Sequence, residues 1–216
     1  MGIALDMDET MCSFVSACME VCRRLWPEKT FKLPGYGRYS QWFNDNLSQD
    51  EREELYAVIK TEEFYMSLPP LLNPTFSNSS IEKFSRVCWD RFEEAPIIIT
   101  ARIGFCPNPE EVSRAYLRKH GFVDIDNVVI HAIDGKTCKT TKVKKSTLFA
   151  DDSVSVADAV AASRNHHMIM VNHPWNDGYS RCGNIRIVPP RKMAEAVNSF
   201  ADEYGTVNKP RHFGYL

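Results

Sequence analysis

The chain has 216 residues and a net charge of -2, with 44% hydrophobic and 25% charged residues. Those proportions are ordinary for a globular protein with a full core. They exclude a general nucleic-acid coat, or a binder of anionic membrane surfaces, as the class of function.

No run approaches the roughly 20 apolar residues of a membrane span. The N-terminus has no basic stretch and meets Asp6 and Asp8 at once, so no signal peptide is expected and the expected location is cytoplasmic. Seven cysteines, at 12, 18, 22, 88, 106, 138 and 182, form no CxxC pair. They read as thiols in a reducing compartment rather than as disulfides or a zinc site.

Residues 2–5 are a short apolar run ending in acid, which predicts a buried strand. Apolar residues at helical spacing predict a helix over 13–25, followed by a Pro- and Gly-containing loop to 39. A further helix is predicted over 39–46. Ser48, with Glu51 three residues on, forms a capping box for a helix reaching Lys60. Leu68-Pro69-Pro70 marks a boundary.

A helix is then predicted from Ser79 or Ser80 to Arg91, and a buried strand over 95–100. The next helix covers 109–120, with Pro109 in its first turn and Gly121 just past its end. Strands over 127–133, 147–151 and 167–172 and helices over 155–165 and 193–203 complete the pattern. Strands alternate with helices after residue 80 and are apolar throughout, which predicts an α/β fold with a doubly wound, Rossmann-like parallel sheet. Residues 15–75 break the alternation with helices only. They read as a helical cap inserted after the first strand, leaving 1–14 and 76–216 as the core.

Ligands of an open α/β sheet bind at the carboxyl ends of its strands. Three predicted strands end in chemically useful groups: Asp6 with Asp8, Thr100, and Asp151 with Asp152. Carboxylates gathered at one edge repel each other unless a hard cation such as Mg²⁺ joins them. A carboxylate can attack phosphorus, a second can move the proton, and a hydroxyl and a Lys can hold the phosphoryl oxygens.

Asp6-Met7-Asp8-Glu9-Thr10, Thr100 after Ile97-Ile98-Ile99, and Phe149-Ala150-Asp151-Asp152-Ser153 resemble the first, second and fourth motifs of the haloacid-dehalogenase (HAD)-like phosphatases. Phe14, the run Glu63 to Leu71, Thr100-Ala101-Arg102-Ile103 with Cys106-Pro107, and Asn172-His173-Pro174-Trp175-Asn176 narrow the resemblance to the 5'(3')-deoxyribonucleotidases. It implies a magnesium-dependent hydrolase of nucleoside monophosphates.

In that family's pattern Asp6 is the nucleophile and a metal ligand. Asp8 is the acid/base and a ligand through its backbone carbonyl. Asp152 ligates the metal, with Asp151 as ligand or support. Thr100 and the backbone after it, at Ala101, bind phosphate. Phe14 lines the pocket for the base.

The third-motif Lys is open between Lys136, directly after the third strand, and Lys139, better spaced to Asp151. Tyr36, Tyr39, Trp42 and Phe43 are candidates to face the base, each competing with a plain core role. Arg102 either touches phosphate or makes a surface ion pair. His166 and His167 are expected on opposite faces of a strand, and His173 in a loop, rather than at a zinc site.

The expected partner is a small nucleotide, with no membrane; nucleic acid is disfavoured and a homodimer is left open. A phosphatase for sugar phosphates is the rival within enzymes. A non-catalytic module of the same fold is the rival from another class.

Overall fold

The computed structural model describes residues 1–36, 41–71, 79–143, 146–180 and 182–204. Six strands form one sheet: β1 (Gly2–Leu5), β2 (Ile97–Thr100), β3 (Val129–Ala132), β4 (Thr147–Asp151), β5 (His166–Val171) and β6 (Ile185–Val188). Their spatial order is β3-β2-β1-β4-β5-β6 and every pairing is parallel. This is a Rossmann-like order, and the direction of winding reverses between β1 and β4.

Alternate strand residues serve two separate layers. Ile3, Leu5, Ile98, Leu148, Ala150, Ile169 and Val171 pack on one side with α1 (Phe14–Leu25), α5 (Ser79–Arg91), α6 (Pro109–Lys119) and α8 (Met193–Glu203). Ala4, Ile99, Phe149, Met168, Met170 and Ile185 pack on the other with α7 (Val154–Ala161). Both faces being covered, the central strands β1, β2 and β4 carry no polar alternation, as their sequences predict. His166 and His167 obey the same parity. The first ring lies 5.5 Å from Phe149, and the second lies 5.1 Å from Phe200 on the opposite layer.

Between β1 and β2 the chain is helical: α1, α2 (Trp42–Asn46), α3 (Gln49–Ile59), α4 (Glu62–Ser67) and α5. The capping box forms as expected. Ser48 N–H donates to Glu51 Oε2 at 2.7 Å and Glu51 N–H donates to Ser48 Oγ at 3.3 Å. Helix α4 is an addition to the expected elements; Thr61 caps it by accepting from Phe64 N–H at 3.2 Å. Strand β6 is another addition.

The helical segment leaves and rejoins the sheet side by side. Ser13 N–H donates to Pro69 O at 2.9 Å, and Leu71 N–H donates to Met11 O at 2.9 Å. Tyr39 lies outside the described residues, as do the C-terminal residues 205–216.

Candidate active site

The turn that follows β1 is wound around one carbonyl. Met7 O accepts from Thr10, Met11 and Cys12 N–H at 3.2, 2.7 and 3.0 Å. Glu9 takes a left-handed φ of 58° to make this turn, a conformation that favours glycine. Its carboxyl is only 2% exposed and turns under α1, where Oε1 accepts from Val15 N–H. Burial, with Asp8 and Asp6 adding, pushes its pKa up to about 8 despite the backbone donors. Nothing in the sequence around Glu9 marks it for this role.

Asp6 stands at the carboxyl end of β1, beside β4 across the switch point, with its N–H donating to Ala150 O at 2.9 Å. Oxygens of Asp6, Asp151 and Asp152 come within 4.8 Å of one another, and all three residues are buried. Lys139 Nζ lies 2.8 Å from Asp6 Oδ1 and 2.8 Å from Asp151 Oδ2. Asp151 Oδ1 also accepts from Ser153 N–H at 2.9 Å. Burial raises the pKa of Asp6 to about 7, with Asp151 and Asp8 adding and Lys139 opposing. Burial, then Asp151 and Asp6, holds Asp152 well above the usual carboxylate range. Lys139 is held firmly protonated by Asp151 and Asp6 against the cost of its own burial.

The two candidate lysines thus separate. Lys139 begins a short 3-10 turn and is the cation among the acids. Lys136 lies in a turn organised by Asp134, whose Oδ1 accepts from the N–H groups of Lys136 and Thr137 at 3.0 and 2.7 Å. Lys136 lines the same cavity, but the ion pairs to Asp6 and Asp151 found among the described residues come from Lys139.

Asp8 departs from the acidic trio. Its Oδ2 accepts from Arg102 Nε at 2.9 Å and its Oδ1 from Arg102 Nη2 at 2.6 Å. Burial favours its neutral form, but the Arg102 charge and hydrogen bonds, helped by Cys12, bring its pKa below the ordinary value. Arg102 is 1% exposed and is not part of the cavity wall. Its ion pair with Asp8 is buried rather than at the surface, and Arg102 is not among the residues that line the cavity. The burial follows from Asp8 turning inward to meet it.

A cavity of about 780 Å³ opens above the acids. Asp6, Asp8, Ala101, Lys139 and Asp152 form its polar floor, while Phe14, Trp42, Phe43, Tyr56, Tyr65 and Phe105 supply aromatic wall. Phe14 packs on Tyr65 at 6.0 Å and edge-on to Phe43 at 6.5 Å. Trp42 is also core, 2% exposed, with its indole N–H donating to Lys32 O. Tyr36 is exposed and not on the wall. Thr100 is fully buried beneath Ala101, and its Oγ1 has no hydrogen-bond partner among the described residues.

The turn containing His173 braces Asp152. Trp175 Nε1 donates to Asp152 Oδ2 at 2.7 Å, and Asn176 Nδ2 donates to Asp152 O at 2.8 Å. His173 stacks on Trp175 at 4.4 Å and bonds Glu9 O at 2.6 Å. One turn therefore ties the end of β4 to the turn after β1. Tyr56, Tyr65 and Phe105 were also missed as wall residues. Their helical or loop positions carry no signal that separates wall from core.

No protein-family model and no curated protein matches the chain.

Proposed function

We propose that the chain is a magnesium-dependent phosphohydrolase of nucleoside monophosphates, similar to the 5'(3')-deoxyribonucleotidases among the HAD-like phosphatases. The observation that carries this is Lys139 lodged between Asp6 and Asp151, beside Asp152, on the floor of an aromatic-walled cavity. Helices α1 to α4 are the cap in this reading, closing over the carboxyl edge of the sheet.

The acids fit a divalent cation. Of three clustered, buried carboxylates only Asp6 and Asp151 pair with Lys139, and Asp6 and Asp152 have pKa values raised by burial and mutual repulsion. Asp6, Asp152 and Asp151 would hold the ion, with the backbone carbonyl of Asp8 as a further ligand. Bound there, Mg²⁺ supplies charge compensation for the carboxylates and the phosphoryl oxygens.

The residues divide the work as follows. An Asp6 carboxylate oxygen attacks phosphorus and the bond to the nucleoside oxygen breaks. Asp8 must enter the first step protonated, against the pull of Arg102, to give that oxygen its proton; as the carboxylate it then takes one from the water that cleaves the phosphoaspartate. Lys139 and the Ala101 backbone bind phosphoryl oxygens, with the unpartnered Thr100 hydroxyl behind them. The aromatic wall holds a planar base and excludes water.

Asp6→Asn should abolish phosphate release from dUMP and dTMP without changing the circular dichroism spectrum, and EDTA should stop the wild type. Turnover that survives Asp6→Asn would refute the mechanism. In a panel of phosphomonoesters, a preference for sugar phosphates over nucleotides would reject the substrate class.

A further inference from the structure

We propose that Asn44 pairs with the edge of the nucleobase and is a specificity-determining residue of the cavity. The proposal deepens the nucleotidase reading and rests on it.

The cavity divides into a charged floor and an aromatic wall. A planar base against that wall buries its two faces on rings. Its edge is different. Every base edge carries hydrogen-bond donors and acceptors, and these lose free energy when they leave water without a partner. A wall that takes a base must therefore offer polar groups of its own. Among the described wall residues that the helical segment between β1 and β2 supplies, none is charged and Asn44 alone carries a carboxamide. Of the other polar groups on that wall, the Trp42 indole is spent on Lys32 O, and Tyr65 and Cys18 are buried. The Tyr56 hydroxyl is a single group, whereas an amide sets a donor and an acceptor side by side.

Asn44 lies on α2 directly after Phe43, whose ring packs edge-on to Phe14 at 6.5 Å and to Tyr56 at 5.7 Å. It is exposed, at the rim where the ring-lined wall meets solvent. A second amide on the same helix shows the structural alternative. Asn46 Nδ2 donates to Trp42 O at 2.9 Å, and its Oδ1 accepts from Lys32 N–H at 2.9 Å. The Asn44 side chain makes no hydrogen bond among the described residues. The fold thus spends one amide of α2 and leaves the other free at the cavity.

A carboxamide matches any base edge on which a donor stands beside an acceptor. Uracil and thymine offer N3–H beside O4, cytosine its amino group beside N3, adenine its amino group beside N1, and guanine N1–H beside O6. The wild type should therefore accept several bases. Guanine alone also places two donors side by side, N1–H and its amino group, and that difference provides the test.

The measurement is kcat/KM of the full chain with Mg²⁺ on dUMP, dGMP and 2-deoxyribose 5-phosphate, which lacks the base. Asn44→Ala removes both amide groups and should lower the ratio of dUMP to 2-deoxyribose 5-phosphate by about 10-fold, the scale of one paired contact to a base edge. Asn44→Asp replaces the donor with a second acceptor. Its added charge meets both nucleotides alike, so the ratio of dGMP to dUMP isolates the edge and should rise by about 10-fold. Either variant carries the test if the other does not fold.

A wild-type ratio of dUMP to 2-deoxyribose 5-phosphate in Asn44→Ala, or no rise of dGMP over dUMP in Asn44→Asp, would overturn the proposal and leave the nucleotidase reading in place. A wild type that prefers 2-deoxyribose 5-phosphate to both nucleotides would bring down that reading, and the proposal with it.

Discussion

Glu9→Gln gives the most direct measure of the electrostatic stress built into this site. The Glu9 side chain is buried under α1 and accepts from Val15 N–H, a bond that a Gln carbonyl can keep. The ionisable proton is lost, and one carboxyl oxygen becomes an amide NH2 group. In the unfolded chain a Glu ionises near 4.5, whereas in the folded protein burial delays this to about 8. The folded state therefore binds more protons between those values. Its contribution to stability is complete below pH 4.5 and is lost as pH rises through 8.

At about 1.4 kcal/mol per pH unit, the span amounts to about 5 kcal/mol as an upper figure. For a domain of this size that is about 10 °C or more in melting temperature. The assay is thermal unfolding of wild type and Glu9→Gln in EDTA at pH 5, 6.5 and 8.5. The two should melt together at the lowest pH, and the variant should lead by a growing margin as pH rises. A constant gap, or a wild type that gains on the variant with pH, would refute the account of a buried, protonated Glu9.

The two lysines should differ sharply. Lys139→Met leaves Asp6 and Asp151 without their shared cation and should cost about 10²- to 10³-fold in phosphate release, while Lys136→Met should stay within about 10-fold. The reverse order would unseat the assignment. Trp175→Phe removes the indole donor to Asp152 Oδ2 and preserves most of the ring. Mg²⁺ affinity by titration calorimetry should weaken about 10-fold or more, as for other groups that orient a ligand. An unchanged affinity would mean that Asp152 does not hold the ion.

Most strands were legible because burial on both faces leaves an unbroken apolar run, as in Ile97-Ile98-Ile99 and Leu148-Phe149-Ala150. Strand β6 was not. It lies at the sheet edge, is half-buried over most of its length, and carries Arg186 in its middle, so it reads as loop. Helix α4 has six residues and ends against Leu68-Pro69-Pro70, too short for a periodic signal. The acidic positions at strand ends were visible as residues, since strand ends follow from the apolar runs.

Side-chain pairing across long sequence separations was not visible. Arg102 meets Asp8 from 94 positions away, and Trp175 meets Asp152 from a turn whose residues look like any loop. The choice of Lys139 over Lys136 needed the Asp134 turn, which spends the backbone donors of Lys136 and Thr137 locally.

The switch point between β1 and β4 also constrains how the protein folds. Gly2 to Leu5 pair with Thr147 to Ala150, so the central strand waits for a partner from the far part of the chain. Closing so large a loop is entropically expensive, and sheets dominated by such pairings form slowly. The crossing of Met11 with Leu71 shortens the path only for the helical segment. Asp6 and Asp151 come side by side through that central pairing, which Lys139 and the turn at His173 then reinforce. Partly folded chains should therefore carry most of their helices and none of the acidic site, and recovery of Mg²⁺ binding during refolding should report completion of the sheet.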